Sequence, residues 1–104
     1  MPPRAPWPPR HAVISGGSSG IGLAMAQALA GEGTRLTLLA RDLQRLEAAA
    51  AAIRAAAPGA EVAARPCDMR DAHAAAQAVA EAEERTPLDL VVACAGAVRA
   101  GSFA

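Results

Sequence analysis

Gly16, Ser18, Ser19, Gly20 and Gly22 stand within one short run, Ser15-Gly16-Gly17-Ser18-Ser19-Gly20-Ile21-Gly22, and together they offer a seat for a phosphate. Glycine reaches backbone angles that other residues avoid, and its missing side chain lets a ligand approach the main chain. A helix starting at Ile21 would add free N–H groups and the positive end of its dipole, both of which favour an anion. Ser18 and Ser19 add hydroxyl donors. The chemistry this arrangement suits is a cradle for the pyrophosphate of a dinucleotide. The glycines at 16, 20 and 22 read Gly-x-x-x-Gly-x-Gly, which differs from the commoner Gly-x-Gly-x-x-Gly fingerprint.

A second set of chemical groups follows Leu39-Ala40. Arg41 can meet a ribose 2′-phosphate with paired, charge-assisted N–H bonds. Arg45, four residues on, can turn to the same phosphate from the next helical turn. This pair favours NADP(H). Asp42 is the competing feature, an acid about twenty residues past the glycine run that could instead select NAD by bonding the ribose hydroxyls. Its place at the head of an apolar-periodic stretch reads as a helix cap, which leaves Arg41 and Arg45 as the cofactor-selecting residues.

These groups need elements to hold them. Ala12-Val13-Ile14 is a short apolar run, and 11–15 reads as a buried parallel strand. His11 at its start reads as a solvent-side residue. A helix from Ile21 to about Gly31 shows Leu23, Ala26, Leu29 and Ala30 at helical spacing, with Gly31 and Gly33 ending it. Residues 35–40 form a second strand. The next helix, capped by Asp42, has an apolar face of Leu43, Leu46, Ala50 and Ile53, and Pro58-Gly59 stops it. Residues 61–65 form a short third strand. A third helix runs from about Asp71 to Arg85, its face mostly alanine with Val79, and Thr86-Pro87 breaks it. Residues 88–94 form a fourth strand before the turn at Ala95-Gly96. Strand alternating with helix implies right-handed crossovers and a parallel sheet. The fold class is therefore α/β, a doubly wound parallel sheet of the Rossmann kind with four strands in the order 3-2-1-4. In such a sheet the carboxyl ends of the strands face one crevice at the switch point. Gly16–Gly22, Arg41, Asp68 and Ala95-Gly96 then converge there.

Composition sets bounds on these readings. The chain has 104 residues, enough for one domain at most, and 53% of them are hydrophobic, though aromatics make up only 2%. Net charge is zero, so nothing favours nucleic acid or an acidic membrane surface. Cys67 and Cys94 lack Cys-x-x-Cys spacing and read as reduced thiols of a cytoplasmic protein, with no metal site. No apolar stretch approaches the roughly 20 residues of a spanning helix. Residues 1–10, rich in proline, read as a flexible arm, and 11–104 as the nucleotide-binding unit.

With its preceding strand, Ser15-Gly-x-x-x-Gly-Ile-Gly22 resembles the cofactor loop of the short-chain dehydrogenase/reductase family, which usually has Thr where Ser15 stands. Within the family, Gly-Gly-Ser-Ser-Gly-Ile-Gly looks most like the 3-ketodihydrosphingosine reductases. The resemblance spans about residues 11–104 and implies further roles. Leu39-Ala40-Arg41 looks like the family's NADP-selecting strand end, with Arg45 at a second basic position. Cys67-Asp68-Met69-Arg70-Asp71 resembles the segment whose Asp accepts a bond from the adenine amino group, a role it assigns to Asp68, while Asp71 caps the next helix. Ala93-Cys94-Ala95-Gly96 resembles the Asn-Asn-Ala-Gly turn under the cofactor ribose. Ala93 replaces the first Asn, which leaves the backbone of Ala95 and Gly96 as contacts.

The family's catalytic Ser and Tyr-x-x-x-Lys, with a supporting Asn, lie further along than Ala104. This chain contains no Tyr, Lys or Asn. The resemblance thus implies the truncated, cofactor-binding N-terminal part of a carbonyl/hydroxyl oxidoreductase, with no catalytic residue of its own and inactive alone. The alternative is a non-catalytic nucleotide-binding or interaction module. A methyltransferase is disfavoured, because that class usually keeps an acid where Arg41 stands. The fourth strand, apolar and at the sheet edge, points to self-association.

Overall fold

Seven elements alternate along the chain, in a computed structural model that describes residues 8–16 and 20–93. They are β1 (His11–Ser15), α1 (Gly20–Gly31), β2 (Arg35–Ala40), α2 (Leu43–Ala56), β3 (Val62–Pro66), α3 (Ala72–Arg85) and β4 (Leu90–Ala93). The strands form one sheet in the order β3-β2-β1-β4, and every neighbouring pair is parallel. This is the doubly wound arrangement, with the switch point between β1 and β4.

Strand periodicity sorts the core into two layers. On one face Ala12 and Ile14 of β1 and Leu36 and Leu38 of β2 pack with Ala26, Leu29 and Ala30 of α1 and Leu46, Ala49 and Ile53 of α2. On the other, Val13 and Leu39 pack with Cys67 and with Ala78 and Ala82 of α3. The first layer buries leucines and isoleucines, and two helices cover it. The second is smaller, with Val13, Leu39 and Cys67 under a single helix that contributes Ala78 and Ala82. Burial stabilises in proportion to the apolar surface removed from water, about 25 cal/mol per Å², so the smaller second layer contributes less in total.

Both helix caps read from the sequence are present. Asp42 Oδ1 accepts from the N–H groups of Gln44 (2.9 Å) and Arg45 (3.2 Å), and Asp71 Oδ1 accepts from that of Ala74 (3.0 Å). The element ends differ by small margins. β3 is Val62–Pro66 where 61–65 is read from the sequence, and Leu88 and Asp89 precede β4 instead of belonging to it.

Two side chains sit elsewhere than expected. Leu43 is 45% exposed, because it lies in the first turn of α2; the buried stripe is Leu46, Ala49, Ala50 and Ile53. His11 is 1% exposed rather than on the solvent side. Its Nδ1 lies 2.8 Å from the Thr86 carbonyl oxygen and its Nε2 2.8 Å from Thr37 Oγ1. A carbonyl only accepts, so Nδ1–H donates to it. With both nitrogens bonded, the ring's polar atoms are satisfied inside the protein.

Candidate functional site

Sheet register brings the site residues to one end. Ser15 is opposite Leu39 on one side and Ala93 on the other, and Ala40 is opposite Pro66. Gly16, Arg41 and Asp68 therefore leave three strands at about the same height, although they are far apart in sequence. The chain is held there by main-chain bonds. Gly16 N–H donates to the Leu39 carbonyl (2.8 Å), and Cys67 N–H to the Ala40 carbonyl (2.8 Å).

Gly16 and Gly20, at the two ends of the loop, have φ of 73° and 59°. Both values fall in the left-handed region that glycine occupies without the Cβ clash other residues meet. Gly20 opens α1, so the N–H groups of the first turn have no partner within the helix. Apart from its chain neighbours and its own helix backbone, no heavy atom among the described residues lies within 4 Å of where a Gly20 Cβ would stand, and the positive φ is itself a reason for glycine there. Ile21, next in the helix, is 77% exposed and Gly22 is buried. Ser18, Ser19, Ala95 and Gly96, together with Cys94, lie outside the described residues.

At the end of β2, Arg41 is exposed. Arg45 Nε stands 3.8 Å from Asp42 Oδ2, a loose pair on an exposed helix face that ties Arg45 only weakly. Asp42 turns its other oxygen to the helix N-terminus.

After β3, Asp68 is gripped by a neighbour whose part the sequence did not reveal. Arg70 donates from its backbone N–H (2.9 Å) and Nε (3.1 Å) to Asp68 Oδ1, and from Nη2 to Oδ2 (3.1 Å). The Arg70 side-chain bonds, then its backbone bond, hold the Asp68 carboxyl down to about 2. The charge of Arg41 adds a smaller push in the same direction, which places it near Asp68. The local Asp-x-Arg pattern is the only sequence signal for this grip.

Among the described residues no group of three His, Cys, Asp or Glu side chains could hold a metal ion. A cavity of about 310 Å³ lies at the opposite end of the sheet, with His11, Arg35, Arg54, Glu61 and Arg85 in its lining. Arg35 pairs with Glu61 and Thr86, and Arg54 donates to the Val62 carbonyl, so two of its cations already have partners. The donor set at the carboxyl end is different: main-chain N–H groups at a glycine turn, exposed guanidinium groups and one ionised carboxylate. It fits a phosphorylated dinucleotide, in which phosphates need donors and the purine amino group needs an acceptor.

The short chain dehydrogenase family model matches residues 10–104. The chain belongs to that family. It is 44% identical over 91 residues to 3-dehydrosphinganine reductase TSC10A of Arabidopsis thaliana, covering 88% of this chain and 27% of that protein. Among solved structures, an actinorhodin polyketide ketoreductase with NADPH matches with TM-score 0.76 and 35% identity, covering 84% of this chain and 33% of that one. An NAD+-bound xylitol dehydrogenase matches with TM-score 0.67 and 32% identity, covering 73% and 28%. The chain thus spans about a quarter to a third of the length of these family members. No helix among its described residues is long and apolar enough to cross a membrane.

Proposed function

We propose that the chain is the NADP(H)-binding N-terminal part of a short-chain dehydrogenase/reductase whose reaction interconverts a carbonyl and a hydroxyl. NADP(H) supplies the hydride chemistry of such a reaction when bound. The chain's own residues bind and orient. The main chain at Gly16, Gly20, Ile21 and Gly22, with the Ser18 and Ser19 hydroxyls, receives the pyrophosphate. Arg41 and Arg45 pair with the adenosine 2′-phosphate, Asp68 accepts from the adenine, and the backbone of Ala95 and Gly96 supports the ribose.

The same fold serves NADPH in one relative and NAD+ in another, so the choice rests on the end of β2. One observation carries it: Asp42 is committed to the α2 N-terminus, and the exposed cation beside it is Arg41. An acid engaged as a cap is poorly placed to select NAD, and an exposed guanidinium suits a phosphate. Calorimetry with NADP and NAD tests the reading. NADP binds more tightly than NAD, and Arg41→Ala removes most of the difference. Equal affinities in the unaltered chain would end the proposal.

The likeness to a 3-dehydrosphinganine reductase supports a long-chain 3-keto base as the substrate of the longer protein. The buried, unpaired Cys67 fits a reducing setting such as the cytoplasm. A second reading is favoured by the absence of Tyr, Lys and Asn from the 104 residues: alone, the chain acts as a non-catalytic nucleotide-binding module.

A further inference from the structure

We propose that Arg70 is a positioning residue: it orients the Asp68 carboxylate as an acceptor for the adenine 6-amino group, so that the chain prefers adenine over hypoxanthine in its cofactor. This rests on the reading above, in which Asp68 faces the adenine.

The bonds to Asp68 are unequal between its two oxygens. Oδ1 accepts from Arg70 N–H and Nε, whereas Oδ2 accepts from Nη2 alone. Each carboxylate oxygen has two lone-pair sites. Oδ1 is therefore filled by Arg70, and Oδ2 keeps one site open. A guanidinium fork also fixes the plane of the carboxylate, which a single ammonium point charge cannot do. The loop under the pair is tied as well, by Asp71 N–H to the Asp68 carbonyl (3.0 Å) and Cys67 N–H to the Ala40 carbonyl (2.8 Å). What remains is one acceptor at a set position and direction.

Such an acceptor reads the edge of a purine. Adenine presents an amino group at C6, which donates. Hypoxanthine presents a carbonyl oxygen there, which only accepts and would face the carboxylate with no proton between them. An ionised carboxylate is acceptor-only. Asp68 is charged at neutral pH with or without Arg70, so what Arg70 adds is the aim. The Arg70 side chain is 77% exposed, so replacing it leaves the core intact.

Two measurements on the 104-residue chain test this. Calorimetry compares NADP with its hypoxanthine analogue, and carboxyl NMR follows the Asp68 titration. The unaltered chain favours NADP over the analogue by about ten- to a hundredfold. Arg70→Leu brings that ratio towards one and moves the Asp68 titration up from about 2 towards 3.8, while preference for NADP over NAD is kept. Arg70→Lys, with charge but no fork, recovers little of the base discrimination. If Asp68→Leu loses the discrimination and Arg70→Leu keeps it, the role of Arg70 is overturned and the reading of Asp68 stands. If the unaltered chain shows no discrimination, or Asp68→Leu keeps it, both fall. An Asp68 titration unmoved in Arg70→Leu overturns the proposal without reference to any cofactor.

Discussion

Gly16 donates its N–H to the carbonyl oxygen of Leu39 at 2.8 Å, in the residue after β1 ends. The bond extends the β1–β2 ladder by one step and then releases the chain into the glycine loop. Its consequence is positional: the start of the loop is pinned beside the last residues of β2, one step before the strand end that carries Arg41. Main-chain donors and the exposed cation are thus held together by backbone bonds, which depend little on side-chain packing.

That geometry predicts what Gly16→Ala does. With φ at 73°, a Cβ costs about 1–2 kcal/mol in the left-handed region. Denaturant unfolding should show a loss of that size, and if Gly16 belongs to the pyrophosphate seat as proposed, NADP binding should weaken as well. Unchanged stability together with unchanged binding would show that the turn does not need glycine.

His11 gives a second prediction, independent of any ligand. It joins β1 to Thr37 in β2 and to Thr86 at the end of α3, and it is buried. His11→Ala leaves those partners unpaired and is expected to cost about 1–3 kcal/mol. Thr37→Val strands the His11 Nε2 and should cost a comparable amount. Because the residues share one bond, the double variant should lose less than the sum of the two. Strict additivity in thermal or denaturant unfolding would refute the coupling.

The contrast between these residues shows what the sequence made legible. β1 and β4 have continuous apolar centres, β2 is apolar but for Arg35 and Thr37, and their alternation with helices was enough for the order 3-2-1-4. The caps Asp42 and Asp71 announce themselves by standing just before periodic helices. His11 could not be read, because its partners are 26 and 75 residues away and are brought to it only by the folded sheet. Leu43 matched the helical period, but the period is blind to where a helix overhangs its sheet. The grip of Arg70 on Asp68 is not legible in the sequence, since it depends on how the loop after β3 folds back, which residue types alone do not encode. The loop glycines, Arg41 and Asp68 were legible as a set because each follows a strand end, and register brings strand ends together.

The Asp68–Arg70 pair also predicts a pH dependence of stability. The Asp68 carboxyl is lowered from 3.8 to about 2 in the folded chain. A depressed folded value means the contribution is fully present above 3.8, fades as the pH falls, and is gone once the pH has passed through about 2. The difference in unfolding free energy between the unaltered chain and Asp68→Asn should be level above pH 5 and shrink below pH 4. A difference that stays constant down to pH 2 would show that the carboxylate gains nothing from Arg70.

Catalysis by the chain alone is expected to be absent. The family's proton donor is a Tyr supported by Lys, and these 104 residues contain neither. Binding groups without a proton donor can hold a cofactor but cannot complete carbonyl reduction. Pure chain should show no substrate-dependent NADPH oxidation above a Gly20→Asp control, in which a carboxylate is introduced at the proposed phosphate site. Turnover above that control would mean the chain supplies its own acid.

The last prediction concerns β4. Among the described residues it pairs only with β1, so its other edge carries backbone N–H and C=O groups without a strand partner. Its residues are Leu90, Val91, Val92 and Ala93, and they include no Lys or Pro to discourage pairing. Val91 is 57% exposed on the face that α3 covers only in part. A free apolar edge favours addition of a strand from a second copy, and the exposed valine adds apolar surface to the contact. The 104-residue chain is therefore expected to self-associate, its weight-average mass rising with concentration in sedimentation. Val91→Lys places a charge on that strand and should shift the association to higher concentration. A monomer at every concentration, in the unaltered chain and in Val91→Lys alike, would show that the edge is covered from within the chain.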